Sequence, residues 1–186
     1  MNLIPYTLFV AIFCVGCSRH EETAQSAKPG ETKTFETLSA TQTTGASVVG
    51  KTSAATAPQI LRAVRTGNQP GMDRIVFEFN ETGLPEWEVK YVEQPLLIDC
   101  GSGDAVLVAG NAWLQITFRG AQAHTEAGEP TSDPRRRELN QPVLRELVRT
   151  CDFEGQVTWV VGVIGEKEYT PRVLAAPSRL VIDVAH

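Results

Sequence analysis

Cysteines, histidines and clustered carboxylates are the residues with which this chain could do covalent, metal or acid–base chemistry, and it has few of them. Four cysteines form two sets, Cys14 with Cys17 near the N-terminus and Cys100 with Cys151 far apart. Of the three histidines, His20 lies in a polar N-terminal stretch and His186 is the last residue, so only His124 falls among the patterned segments. Two or three histidines and a carboxylate cannot be gathered from that set, so neither a zinc centre nor any other metal or cofactor is expected. A Ser-His-Asp arrangement would have to use His124, yet residues 120–129 are polar and loop-like and lack a nucleophile elbow. A solvated loop histidine is the plainer reading, with Cys151 as nucleophile and His124 as base the covalent alternative. Carboxylates are the other route to acid–base cleavage, through Asp99 with Asp104, or Glu126 with Glu129 and Asp133. Loop acids in an acidic chain are ordinarily solvated, and Asp152 and Glu154 in a tight turn are expected to accept local backbone hydrogen bonds. Gly101-Ser102-Gly103 lacks the following helix and lysine of a phosphate-binding loop. Catalysis is therefore not expected. The formal net charge of −5 offers no broad cationic surface, so nucleic acid is not an expected partner.

The first cysteine pair belongs to a different context. Leu3 to Gly16 carries no charge and contains Leu3, Ile4, Leu8, Phe9, Val10, Ile12, Phe13 and Val15. That is the length of a signal-peptide core and shorter than the roughly 20 residues of a spanning helix. An apolar leader gives a C-x-x-C pair no scaffold to lower a thiol pKa or to supply further ligands. The run Val15-Gly16-Cys17-Ser18 resembles the bacterial lipobox. That resemblance implies acylation of Cys17, which would become the mature N-terminus anchored by two or three chains, with Cys14 removed alongside the leader. Ser18 in the next position resembles the outer-membrane sorting pattern of Gram-negative envelopes, on the periplasmic face. A plain secretory signal is the alternative.

Residues 18–57 read as a disordered linker. Fourteen of these 40 residues are Ser or Thr, and the four basic and four acidic side chains cancel. Such a segment buries too little apolar surface to offset the entropy of ordering it. As a flexible coil it would reach roughly 35 Å.

From residue 58 onward, period-two alternation takes over. Ile75, Phe77 and Phe79 share one face of a strand, as do Trp87, Val89 and Tyr91; Leu114, Ile116 and Phe118; Val157, Trp159, Val161 and Val163; and Leu180, Ile182 and Val184. Turn sequences at Asn68-Gln69-Pro70-Gly71, Gly101-Ser102-Gly103-Asp104 and Ala176-Pro177-Ser178 separate the runs. The pattern predicts an all-β, antiparallel β-sandwich over 58–186, following a leader (1–17) and linker (18–57). Pro142 to Arg149 also fits helical spacing, but a hairpin with Val157–Ile164 across Asp152–Gly155 favours strand.

Four stretches carry a family resemblance: Asp73-Arg74-Ile75-Val76-Phe77-Glu78-Phe79, Tyr91-Val92-Glu93-Gln94-Pro95, Arg149-Thr150-Cys151-Asp152-Phe153-Glu154-Gly155 with Thr158-Trp159-Val160-Val161-Gly162, and Ser178-Arg179-Leu180-Val181-Ile182-Asp183-Val184. Together they resemble the AMIN-like domain of bacterial envelope lipoproteins, over nearly all of 58–186. The resemblance implies a β-sandwich related to the AMIN domain, non-catalytic and associated with the cell wall. Cys151 departs from it, standing where the family usually has Gly. In an oxidising compartment Cys151 and Cys100 are expected to pair, closing a loop of about 50 residues and stabilising the fold by about 4 kcal/mol. Two buried free thiols are the alternative.

Binding residues follow from strand parity. With Leu114, Ile116 and Phe118 inward, Trp113 shares the outward face with Gln115, Thr117 and Arg119, an indole beside hydrogen-bonding groups that suits a sugar ring and equally suits a place under a loop. Arg135, Arg136 and Arg137, read as a loop, offer three guanidinium groups to wall carboxylates or lipid phosphates, or else remain solvated beside Glu129, Asp133 and Glu138. The resulting expectation is a lipid-anchored envelope protein that binds peptidoglycan or an envelope protein. A wall-glycan hydrolase using loop carboxylates and a structural partner that adds a strand to another protein are the rival readings.

Overall fold

The computed structural model describes residues 46–53, 56–80, 83–94 and 97–186. The leader, Cys17 and most of the linker lie outside the described residues.

The strands are β1 (Val48–Gly50), β2 (Gln59–Gln69), β3 (Met72–Phe79), β4 (Glu86–Val92), β5 (Ala112–Arg119), β6 (Ala121–Gln122), β7 (Arg136–Glu138), β8 (Leu144–Phe153), β9 (Gln156–Val163), β10 (Tyr169–Leu174) and β11 (Arg179–Ala185). They form two sheets, ordered β1-β4-β5-β9-β8-β7 and β10-β11-β3-β2-β6. Every pairing is antiparallel except the short parallel contact of β6 with β2. The all-β sandwich expected from the alternation is what forms.

Turn chemistry sets the register. The β8–β9 hairpin turns through Glu154 and Gly155, both at positive φ (48° and 74°), the backbone of a two-residue type I′ loop matched to strand twist. Pro142–Arg149, ambiguous in the sequence, is strand from Leu144 onward and pairs with β9. Register shifts at Leu144/Glu146 and Arg149/Cys151 break its period, which is why helix and strand patterns were both visible there.

The inward faces are those that parity assigns. Ile75, Phe77 and Phe79 of β3 and Leu180, Ile182 and Val184 of β11 pack against Leu114, Ile116 and Phe118 of β5 and Val157, Trp159, Val161 and Val163 of β9. Phe118 meets Phe77 and Phe79 edge-on, with ring centroids 5.2 and 5.0 Å apart. Burying each such side chain is worth about 1.5–3 kcal/mol, so these rings fix how the sheets stack. A second apolar cluster, Leu97, Val108, Val148 and Val160, lies on the outer face of the six-stranded sheet. Residues 97–110 cover it. Gly162 permits the closest approach, since a Cβ there would stand 1.7 Å from the Ala109 carbonyl oxygen.

Two expectations about segment limits are corrected. The linker was expected to run to residue 57, but Val48–Gly50 pair with Val89, Glu88 and Trp87 as the edge strand β1. The Tyr169 hydroxyl, with one proton to share, lies 2.5 Å from the Ala46 carbonyl oxygen and 2.9 Å from that of Val89 and so ties this segment to β4. Gly50 is needed because a Cβ would stand 2.5 Å from the Trp87 ring. Arg135–Arg137 were expected in a loop, but Arg136 and Arg137 belong to β7, paired with Val148 and Leu147.

Candidate functional site

The pairing register sets out the outer face of the six-stranded sheet row by row. Glu86, Arg119, Gln156 and Phe153 form one cross-strand row, and Glu88, Thr117, Thr158 and Cys151 the next. Lys90, Gln115, Val160 and Val148 follow, then Val92, Trp113, Gly162 and Glu146. Polar rows thus give way to apolar ones, and residues 97–110 cover the apolar end. The polar end stays open as a shallow groove of about 260 Å³ bordered by Ile98 and Cys100.

Arg119 sits in this open half, 3.2 Å from Glu86 and 3.8 Å from Glu88, while Lys90 lies 3.0 Å from Glu88. Burial alone would raise the Glu88 carboxyl, but hydrogen bonds from Lys90 and Ser47 and the charges of Lys90 and Arg119 outweigh it and hold the pKa below the ordinary value. Gln115 donates to Thr117 at 3.4 Å, and Gln156 to Thr158 at 3.3 Å, so the half-buried amides of the two glutamines lie over a floor of buried threonine hydroxyls. Such a surface can exchange hydrogen bonds with a polyhydroxylated or amide-rich ligand. Ile98 and Phe153, both more than half exposed, stand as apolar contacts at its rim.

Trp113 has the outward parity assigned to it, but lies at the covered end. Its indole donates to the Val108 carbonyl at 3.0 Å and packs against the second cluster. Of its open-face companions, Arg119 is exposed and Gln115 half-buried, while Thr117 is buried in the floor of the groove. The sequence pointed to these three and missed Gln156, Thr158, Glu88, Lys90 and Phe153; the outward parity of Gln156 and Thr158 beside Val157 and Trp159 carried the signal.

The three arginines do not act as one grip, because a strand sends neighbouring side chains to opposite faces. Arg135 donates Nε to the Arg149 carbonyl at 2.8 Å and pairs with Asp99. Arg136 pairs with the buried Glu146 at 2.5 Å and donates to the Leu107 carbonyl. Arg137 turns inward, donating to the Val64 carbonyl at 2.8 Å and lying 5.9 Å from the centroid of the Trp159 ring; burial lowers its pKa.

Cys100 and Cys151 are joined in a disulfide, with Cα atoms 5.1 Å apart. The bridge fastens the covering segment to β8. It also removes Cys151 as a nucleophile, since the sulfur is already bonded. His124, read as a solvated loop residue, instead places Nδ1 3.1 Å from Asp152 Oδ1. Asp152 accepts the Ala123 amide at 2.9 Å, a contact 29 residues away rather than the local bond expected of it. Asp99 accepts the amides of Gly101 and Ser102, so the carboxylate proposed as half of an acid–base pair is tied into its own turn. Among the described residues, no group of three or more His, Cys, Asp or Glu side chains is placed to hold a metal ion.

Two stacked sheets with an open polar half-face beside a disulfide-pinned cover define an all-β module built to present a surface. The chain belongs to the AMIN-like domain family, whose model matches residues 59–186. No curated protein and no solved structure matches it.

Proposed function

We propose that this protein is a lipid-anchored component of the bacterial envelope, acylated at Cys17, and that its sandwich binds peptidoglycan without catalysis. Membership of the AMIN-like family supports a cell-envelope, peptidoglycan-related binding module. The observation carrying the reading to a surface is the open groove to which Glu88, Lys90, Gln115, Arg119 and Gln156 offer polar groups over a floor of Thr117 and Thr158. Its rows of donors and acceptors suit a glycan strand, and Ile98 and Phe153 at the rim suit acetyl or alanyl methyl groups. Asp99 and Asp152 are occupied by backbone amides and cations, which supports binding over acid–base cleavage.

Sedimentation with purified murein sacculi tests the binding. The detergent-solubilised full chain is expected to pellet with them, and Gln115→Ala combined with Arg119→Ala to lower the bound fraction several-fold at an unchanged melting temperature. Recovery of the wild-type chain in the supernatant defeats the reading, as does release of dye from labelled murein. The anchor is tested by the mass of the mature protein, which should begin at a diacylglyceryl-modified Cys17; a mature chain starting elsewhere removes it.

A further inference from the structure

A second recess, different in chemistry from the sheet face, lies across the Cys100–Cys151 bridge. Its volume is about 340 Å³, and Asp99, His124, Arg135, Arg149, Asp152 and Phe153 line it. Arg149 is its distinctive residue. The side chain is only 10 % exposed, yet its contacts are long: Ser132 Oγ at 3.2 Å, the Ala123 carbonyl and Asp133 Oδ1 at 3.5 Å, and Asp152 Oδ2 at 3.9 Å. A guanidinium carries five donors, and its charge-assisted bonds to carboxylates run about 2.7–2.9 Å. Arg149 is therefore buried and held by long contacts only. The Trp159 ring, whose centroid lies 5.8 Å from its guanidinium carbon, packs against it.

A carboxylate entering this recess would supply the short bonds that the neighbours do not. Arg135, half exposed and anchored through Nε to the Arg149 carbonyl, brings a second guanidinium into the same recess. Two guanidinium groups meet three carboxylates here, counting Asp133 against Arg149, so the surroundings carry no net positive charge when His124 is neutral. That balance favours a ligand whose carboxylate adjoins an N–H over a bare polyanion such as phosphate. Phe153, 58 % exposed, adds an apolar surface for a short side chain.

We propose that this recess binds the free carboxyl end of a peptide, with the carboxylate on Arg149 and Arg135 and the adjoining amide N–H directed to Asp99 or Asp152. The proposal rests on the wall-binding reading only for the source of that peptide, the stem of peptidoglycan.

The test is a titration of the full chain in detergent, following ¹⁵N amide shifts with N-acetyl-D-alanyl-D-alanine, its carboxamide and inorganic phosphate as probes. The free acid should saturate shifts at His124 and Thr150–Phe153, and the carboxamide should bind at least tenfold more weakly. Arg135→Ala should weaken the free acid about tenfold, the loss of one charge-assisted bond of about 1.4 kcal/mol. Arg149→Lys keeps the charge and loses the fork; it should weaken binding at least as much while amide shifts in β3 and β11 confirm that the sandwich is intact. Equal affinity for acid and carboxamide, tighter binding of phosphate, or shifts confined to other surfaces would overturn the proposal. Sacculi that pellet the chain while the dipeptide gives no shift would sink this inference and leave wall binding standing. Dipeptide binding without sedimentation would support the recess and discard the wall as its source.

Discussion

At the scale of single residues, the most consequential polar group is Asp73, fully buried at the start of β3. One carboxylate oxygen accepts the amides of Val143 and Leu144 at 2.8 and 3.1 Å, and the other accepts Asn68 and faces His186. Burial alone would raise its pKa, but these hydrogen bonds together outweigh burial and hold it below the ordinary value. A lowered folded pKa gives stability that is complete above the unfolded value of about 3.9 and is lost as pH falls through the folded one. Asp73→Asn turns an NH₂ group toward existing donors and should cost roughly 2–3 kcal/mol near neutrality. Melting temperatures of variant and wild type, measured from neutral to acid pH, should converge on the acid side of that value. A constant gap across the range would mean that the charge is not what the site uses. Little of this was legible in the sequence: Asp73 stands in a recognisable strand motif, but the two backbone amides it accepts, Val143 and Leu144 at the start of β8, are about 70 residues away.

At the scale of elements, the segment 97–110 decides how much of the outer sheet face is open, and the disulfide with β8 pins it. Its two cysteines are 51 residues apart, a loop length for which the chain-entropy account gives about 4 kcal/mol. Replacing both by serine should lower the free energy of unfolding by about that amount in urea denaturation. Amide exchange should accelerate in 97–108 before it does in β3 or β11. Uniform acceleration across both sheets would show that the bridge supports the whole sandwich and not the cover alone. The pairing was foreseeable from the compartment and from two solitary cysteines. The cover was not, because parity says which face a side chain takes and nothing about which part of that face a distant loop occupies. Trp113 shows the difference, having the right face and the closed end. The same limit hid β1 and β7, since three-residue strands have no period to read and Arg135-Arg136-Arg137 has the composition of a solvated loop.

At the scale of the whole molecule, strands of seven or eight residues burying one face each were plain in the sequence, and the two sheets follow from them. The family motifs fall on the interior strands β3, β4, β8, β9 and β11, where alternation is under the strongest packing constraint. What could not be read is how the sandwich is used, because both candidate surfaces arise where strands far apart in sequence lie side by side.

The edge strand β1 has a mechanical consequence. It and the residues after it are held by three residue pairs with β4, the Tyr169 hydroxyl, the Ser47 bond to Glu88 and the bonds of Thr52 and Ser53 with Leu84, whereas β2 is paired along eight positions of β3. Tension arriving along the chain from the N-terminal side meets β1 first, and peeling residues 46–58 would free roughly 40 Å of extended chain before β2 bears load. The segment is therefore the part of the fold that gives way first to a pull from that side, leaving the pairing of β2 with β3 unbroken.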